Sequence, residues 1–178
     1  MKSMIEAGRI AAEWQQQPFG KRVFEARRDA GLTPTAAEIV SALEHPNPRV
    51  RCDCLAMLDH LADESSVVAM IAATSDPVPR VRRMAVHALG CQRCKPSALS
   101  SDLNAIFVPI AEGDPAWRVR REAVISIVQQ PADECSGAVL ARLADHDPHA
   151  LVRQQAAWAL RIQTGRGSSY GHRTARRG

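Results

Sequence analysis

Cys91-Gln92-Arg93-Cys94 has the spacing at which two thiols serve either as half of a tetrahedral zinc site or as a dithiol redox pair. Zinc asks for two further donors, and His87 and His60 are the nearest upstream imidazoles. Elsewhere the sequence offers little chemistry. It contains no phosphate-binding loop and no Gly-x-Ser-x-Gly, and no catalytic triad assembles by spacing. No catalytic residue is assigned and the chain reads as a non-enzyme. Whether the Cys91–Cys94 pair can be more than two thiols depends on the elements that hold it.

Those elements are repeated. A Pro, three variable residues, a Val-Arg pair, a small residue four past the Val and a Leu or Ile four further on occur four times. The copies are Pro46 with Val50-Arg51, Cys54 and Leu58; Pro77 with Val81-Arg82, Ala85 and Leu89; Pro115 with Val119-Arg120, Ala123 and Ile127; and Pro148 with Val152-Arg153, Ala156 and Leu160. The Arg-to-Arg spacings are 31, 38 and 33 residues, the period of a repeated supersecondary unit. In the second copy Asp76 is predicted to cap a helix, with Pro77 at its first position. Val81, Ala85, Ala88 and Leu89 then form one buried stripe, and Gly90 closes the helix in a left-handed conformation. A second apolar helix precedes each Pro, over 35–44, 65–74, 103–112 and 133–144. The 91–101 insert accounts for the long 38-residue spacing.

The elements limit the thiol chemistry. Cys52 and Cys54 start a unit-one helix, whereas Cys91 follows the end of the parallel unit-two helix, an axial offset of roughly 12 Å at 1.5 Å per residue. They cannot complete a site with Cys91. The set that would hold a metal is Cys91, Cys94, His87 and His60. Redox catalysis is disfavoured, because the partial negative charge at a helix carboxy terminus opposes a thiolate. The preferred expectation is a surface loop with two ordinary thiols, with no metal and no cofactor. Five cysteines, an odd number, also argue against a disulfide framework.

Composition agrees with helices. The chain is 46% hydrophobic but only 4% aromatic, so its core must be Ala, Leu, Val and Ile. No run approaches the roughly 18 apolar residues of a membrane span, and the amino terminus does not read as a signal peptide, so a cytoplasmic location is expected. The net charge of +4 resides in residues 164–178, which hold Arg166, Arg173, Arg176 and Arg177 and no acid. The other 163 residues carry 19 Lys+Arg against 19 Asp+Glu, so the body has no general field for gathering nucleic acid.

The motif Asp-Pro-x-x-x-Val-Arg-x-x-Ala-x-x-Ala-Leu, nearly whole in units two and four, resembles the HEAT repeat, and is similar to the bacterial HEAT-like repeats of the phycobilisome-lyase type. Pro109 matches a Pro common in that family's first helix. The resemblance implies an all-α, HEAT-like α-solenoid, a right-handed superhelix of antiparallel helix pairs. It implies an amino-terminal helical cap over 1–33, repeats over 34–62, 64–90, 101–129 and 133–163, and a disordered Arg/Gly-rich tail over 164–178. It also implies a structural ladder in which Asp76, Asp114 and Asp147 pair with Arg51, Arg82, Arg120 and Arg153. HEAT-like iron hydroxylases carry adjacent His-Glu pairs, and no such pair exists here. The glycosylases of the group grip DNA with a basic, aromatic-lined face, and nothing specifies a bilin pocket for a lyase.

The remaining expectation concerns the concave face. Positions two, six and nine after each Val point away from the buried stripe. They are Cys52, Ala56 and Asp59; Arg83, His87 and Gly90; Arg121, Ile125 and Val128; and Gln154, Trp158 and Arg161. Ile125, Val128 and Trp158 rimmed by Arg83, Arg121 and Arg161, with His87 beside them, make a candidate protein-binding patch. The leading expectation is a non-catalytic scaffold or adaptor that binds another protein there. Nucleic-acid binding through the tail and the inner arginines is the alternative, and a HEAT-like lyase or metal-dependent enzyme the second.

Overall fold

A computed structural model describes residues 35–92, 94–95 and 99–165. The amino-terminal cap expected over 1–33 and nearly all of the Arg-rich tail lie outside the described residues. Among the described residues every regular element is helical. The helices are α1 (Ala36–Ser41, continued by a 3₁₀ turn, Ala42–Glu44), α2 (Pro48–Leu61), α3 (Glu64–Ala73), α4 (Pro79–Gly90), α5 (Asn104–Gly113), α6 (Trp117–Ile127), α7 (Glu134–His146) and α8 (Ala150–Gln163).

Capping boxes set the starts of three of the odd-numbered helices, α1, α3 and α7. Thr35 and Glu38 form a reciprocal capping box on α1, and Asp63 with Ser66 and Asp133 with Ser136 do the same for α3 and α7. Pro109 lies inside α5, which runs through it.

The even-numbered helices form one layer, in which α2 packs on α4, α4 on α6 and α6 on α8. Each odd-numbered helix packs against the even-numbered helix that follows it. The stripe is the core between them: Val81, Ala85, Ala88 and Leu89 are each at most 1% exposed, as are Val119, Ala123, Ile127, Val152, Ala156 and Ala159. The result is an all-α, HEAT-like solenoid. Its small side chains let helices approach closely, and the approach is tightest at Gly90. A Cβ added there would lie 2.5 Å from the Ser126 Cβ on α6.

Two sequence expectations are corrected. Gly90 does not adopt a left-handed conformation; it is the last residue of α4, and glycine is needed there for clearance from Ser126. The even-numbered helices also begin two residues later than Pro46, Pro77, Pro115 and Pro148 suggest, at Pro48, Pro79, Trp117 and Ala150. Asp76 is not the N-cap of α4. Its Oδ1 accepts from the Val78 N–H at 2.8 Å, two residues on, and Asp114 and Asp147 hold the Ala116 and His149 N–H groups in the same way. The aspartate builds a turn that leads into the helix.

Candidate functional site

Three side-chain arrangements stand out, and arginine dominates two of them. The first runs along the loops between paired helices. Arg51 Nε and Nη2 donate to both carboxylate oxygens of Asp76 at 2.7 and 2.9 Å. Arg82 does the same to Asp114 at 2.7 and 2.9 Å, and Arg120 to Asp147 at 2.8 and 2.9 Å. Each guanidinium also reaches back to its own loop, Arg82 Nη1 donating to the Asp76 carbonyl at 2.9 Å and Arg120 Nη1 to the Asp114 carbonyl at 2.9 Å. Arg153 finds no carboxylate in this series and donates to the Asp147 and Pro148 carbonyls alone. Burial by itself would raise the Asp76 and Asp147 carboxyls, but the bidentate arginine, a backbone N–H and the arginine charge outweigh it and hold both below the usual range.

The second arrangement lies at the amino-terminal ends of α4 and α6. Pro79, Arg80, Arg83, Ala116, Trp117 and Arg118 line a groove of about 480 Å³. Arg80, Arg83 and Arg118 are exposed, and none has an ion pair among the described residues. The Arg118 guanidinium sits 4.4 Å over the Trp117 ring, a cation–π contact. On the same indole the His149 ring stacks at 4.0 Å with 9° between planes. Val78 and Ala116, the N-cap residues here, offer no side-chain cap, whereas Asn47 and His149 cap α2 and α8. The free first-turn N–H groups and the helix dipoles add to the positive potential.

Of the expected concave patch, Arg83 and Arg161 are exposed, while Arg121, Ile125, Val128 and Trp158 are half-buried. Val128 and Trp158 pack against the core. His87 is engaged: its Nδ1 lies 2.9 Å from Glu122 Oε1 and its Nε2 lies 3.7 Å from Asp59 Oδ2. Cys52, Asp59 and Gly90 are buried rather than outward-facing. Side-by-side packing of the even-numbered helices turns these positions toward the neighbouring helix; Cys52 Sγ lies 3.8 Å from the Arg80 carbonyl oxygen. Arg80 and Arg118 were missed by the sequence reading. They precede Arg83 and Arg121 by three residues, one turn back on the same face, and that spacing was the available signal.

The third arrangement gathers around Asp59. Cys91 is buried and its Sγ lies 3.1 Å from the Cys94 Sγ. The expectation of a surface loop with two ordinary thiols is therefore corrected. Lys95, with a fully buried side chain, donates to the Cys91 carbonyl at 2.7 Å and has its Nζ 3.9 Å from Asp59 Oδ1. Its ammonium is lowered by burial against the pull of Asp59. The Cys94 thiol is pushed up to about 12 by burial first, then by Cys91 and Asp59. His87 is raised to about 10 by Asp59 and Glu122, which outweigh its burial. His60 Nε2 lies 3.9 Å from Asp59 Oδ2. Asp59 was missed as a possible ligand because the sequence placed it on a solvent face.

Two helical layers, closely packed small side chains and a loop-edge arginine ladder are the architecture of an all-α, HEAT-like solenoid. A family model described as HEAT repeats matches residues 36–101, which span α1 through α4 and the 91–101 insert. No curated protein matches the chain. HEAT repeats are commonly protein-interaction scaffolds. Among the described residues no helix is long and apolar enough to cross a membrane.

Proposed function

We propose that this chain is a non-catalytic scaffold that binds an acidic segment of another protein along its even-numbered helices, in the Arg80/Arg83/Arg118 groove and onward over Arg121 and Ile125. The observation that carries this reading is the groove itself. Three exposed arginines without counter-ions among the described residues surround an aromatic floor at two uncapped helix starts. Exposed like charges repel one another, and a partner carboxylate relieves that repulsion with bidentate geometry. The half-buried Ile125, Val128 and Trp158 lie further along the same layer, so an apolar side chain flanking the acidic run has a place to go. The motif also resembles the HEAT-like repeats of the phycobilisome-lyase type, a likeness supported by the Asp-Pro and Val-Arg pairs and by no pocket chemistry.

Fluorescence anisotropy with a labelled glutamate-rich peptide tests this. The wild type should bind, and Arg80→Glu/Arg118→Glu should abolish binding with the melting temperature unchanged. Nucleic-acid binding is the competing reading, since the same arginines suit phosphates. Duplex DNA bound more tightly than the peptide, with a steep loss of affinity as salt rises, would decide for it. Binding of neither ligand at low salt sinks both.

A further inference from the structure

We propose that Asp59, Cys91 and Cys94, with His87, form a zinc site that fastens the 91–101 insert to the layer of even-numbered helices. Nothing in the peptide-binding reading requires this site, and it rests on different residues.

The ligand atoms are already gathered. One oxygen of Asp59 and the two sulfurs of Cys91 and Cys94 lie within 4.8 Å of one another. Asp59 is 5% exposed, and its Oδ1 accepts no hydrogen bond among the described residues. An unpartnered buried carboxylate oxygen is costly, and a cation placed between it and the thiols removes that cost. Lys95 does not satisfy it. The ammonium hydrogen-bonds the Cys91 carbonyl instead and stays 3.9 Å from Asp59 Oδ1.

His87 stands outside this gathered trio and is the donor that would move in to complete the tetrahedron. Its Nδ1 is held by Glu122 at 2.9 Å, while its Nε2 faces Asp59 Oδ2 at 3.7 Å. A carboxylate that grips one ring nitrogen and aims the other is the usual support for a metal-bound imidazole. Tetrahedral zinc with bonds of about 2.0–2.3 Å places N and O donors roughly 3.3 Å apart and two sulfurs roughly 3.8 Å apart; the 3.7 Å between His87 Nε2 and Asp59 Oδ2 must close by about 0.4 Å. The Cys91–Cys94 separation of 3.1 Å is shorter, so the sulfurs must part by roughly 0.6 Å to reach it. Two thiolates, a carboxylate and an imidazole in a closed tetrahedron suit Zn²⁺ rather than Mg²⁺ or Ca²⁺, which take oxygen ligands. Binding releases the two thiol protons and the imidazolium proton of His87, and the Lys95 ammonium offsets the excess negative charge of the loaded site.

The site would join three parts of the fold: α2 through Asp59, α4 through His87, and the insert through Cys91 and Cys94. Glu122 on α6 supports it from the far side of the insert. The extra residues in the repeat spacing fall where such a staple is needed.

The test uses the full chain, purified with reductant and then stripped of metal. Titration with Co²⁺ should give thiolate charge-transfer and tetrahedral d–d bands saturating at one equivalent, and Zn²⁺ should bleach them stoichiometrically. Zinc should also raise the melting temperature of the wild type. Cys94→Ser should weaken Co²⁺ binding by about a hundredfold and Glu122→Gln by about tenfold, the latter acting only through His87. Circular dichroism of each variant separates lost binding from lost fold. A spectrally silent Co²⁺ titration of the reduced wild type overturns the proposal whatever the variants do. So does isolation of the chain two hydrogens lighter under anaerobic conditions, which would make Cys91–Cys94 a disulfide instead.

Discussion

The arginines of the ladder and those of the groove lie within a turn of each other on the same helices, yet they do opposite things. Arg82 is 12% exposed in its side chain, bidentate to Asp114 and bonded to its own loop. Arg80 and Arg83, two residues before it and one after, are exposed and pair with nothing among the described residues. The helix surface sorts them. Steps of two and one residues rotate the side chain by about 200° and 100°, taking it from the loop edge to the open face. Identical chemistry becomes structure in one place and an available binding surface in the other.

The sharpest way to break this comparison is to remove a rung. Arg120→Ala strands the Asp147 carboxylate, whose side chain is 2% exposed, and should cost about 3–5 kcal/mol in a urea titration. A cost below 1 kcal/mol would make the ladder ornamental. Acid should attack the Asp76 and Asp147 rungs together. The Asp76 and Asp147 carboxyls are depressed in the folded state, so their contribution is whole above the unfolded value of 3.8 and is lost as pH falls through the lower folded values. Melting temperature followed downward from pH 5 should drop in wild type and by a smaller amount in Arg120→Ala, where the Asp76 rung alone keeps its share.

Arg153 refines the contrast, since it has the ladder position without the carboxylate. Arg153→Ala should cost about 1 kcal/mol, the worth of hydrogen bonds to backbone alone. A loss equal to that of Arg120→Ala would show that loop anchoring, not the ion pair, carries the rung. The smallest effect belongs to the groove: Arg80→Glu/Arg118→Glu should change stability by no more than about 0.5 kcal/mol. A large loss there would mean that these arginines are structural.

The fold was legible because the repeated Val, small and Leu positions, the half-buried Leu160 apart, are also the buried ones, and burial follows a periodicity that the sequence displays. Helix starts were misread by two residues because Asp-Pro describes both a cap and a turn, and only the neighbouring arginine decides which. The site was less legible. Arg80 and Arg118 precede the positions that the period singled out. Asp59 reads as a solvent-facing acid until α4 is laid beside α2, since the pairing that brings it to Cys91 and Cys94 is between repeats. Gly90 shows the same limit, its necessity coming from Ser126, thirty-six residues away in the chain.

The ladder has one more property. Arg51 holds Asp76, whose carbonyl is held by Arg82, which holds Asp114, whose carbonyl is held by Arg120, and so on to Arg153. The rungs are joined in series into a cable along one margin of the molecule, and it crosses the 91–101 insert with the same bond lengths as elsewhere. A rod with an inextensible margin bends by opening the opposite one. Changes in curvature on grasping a partner would then be concentrated away from the loops, at the far ends of the helices, where Asp59, His87 and the cysteines lie.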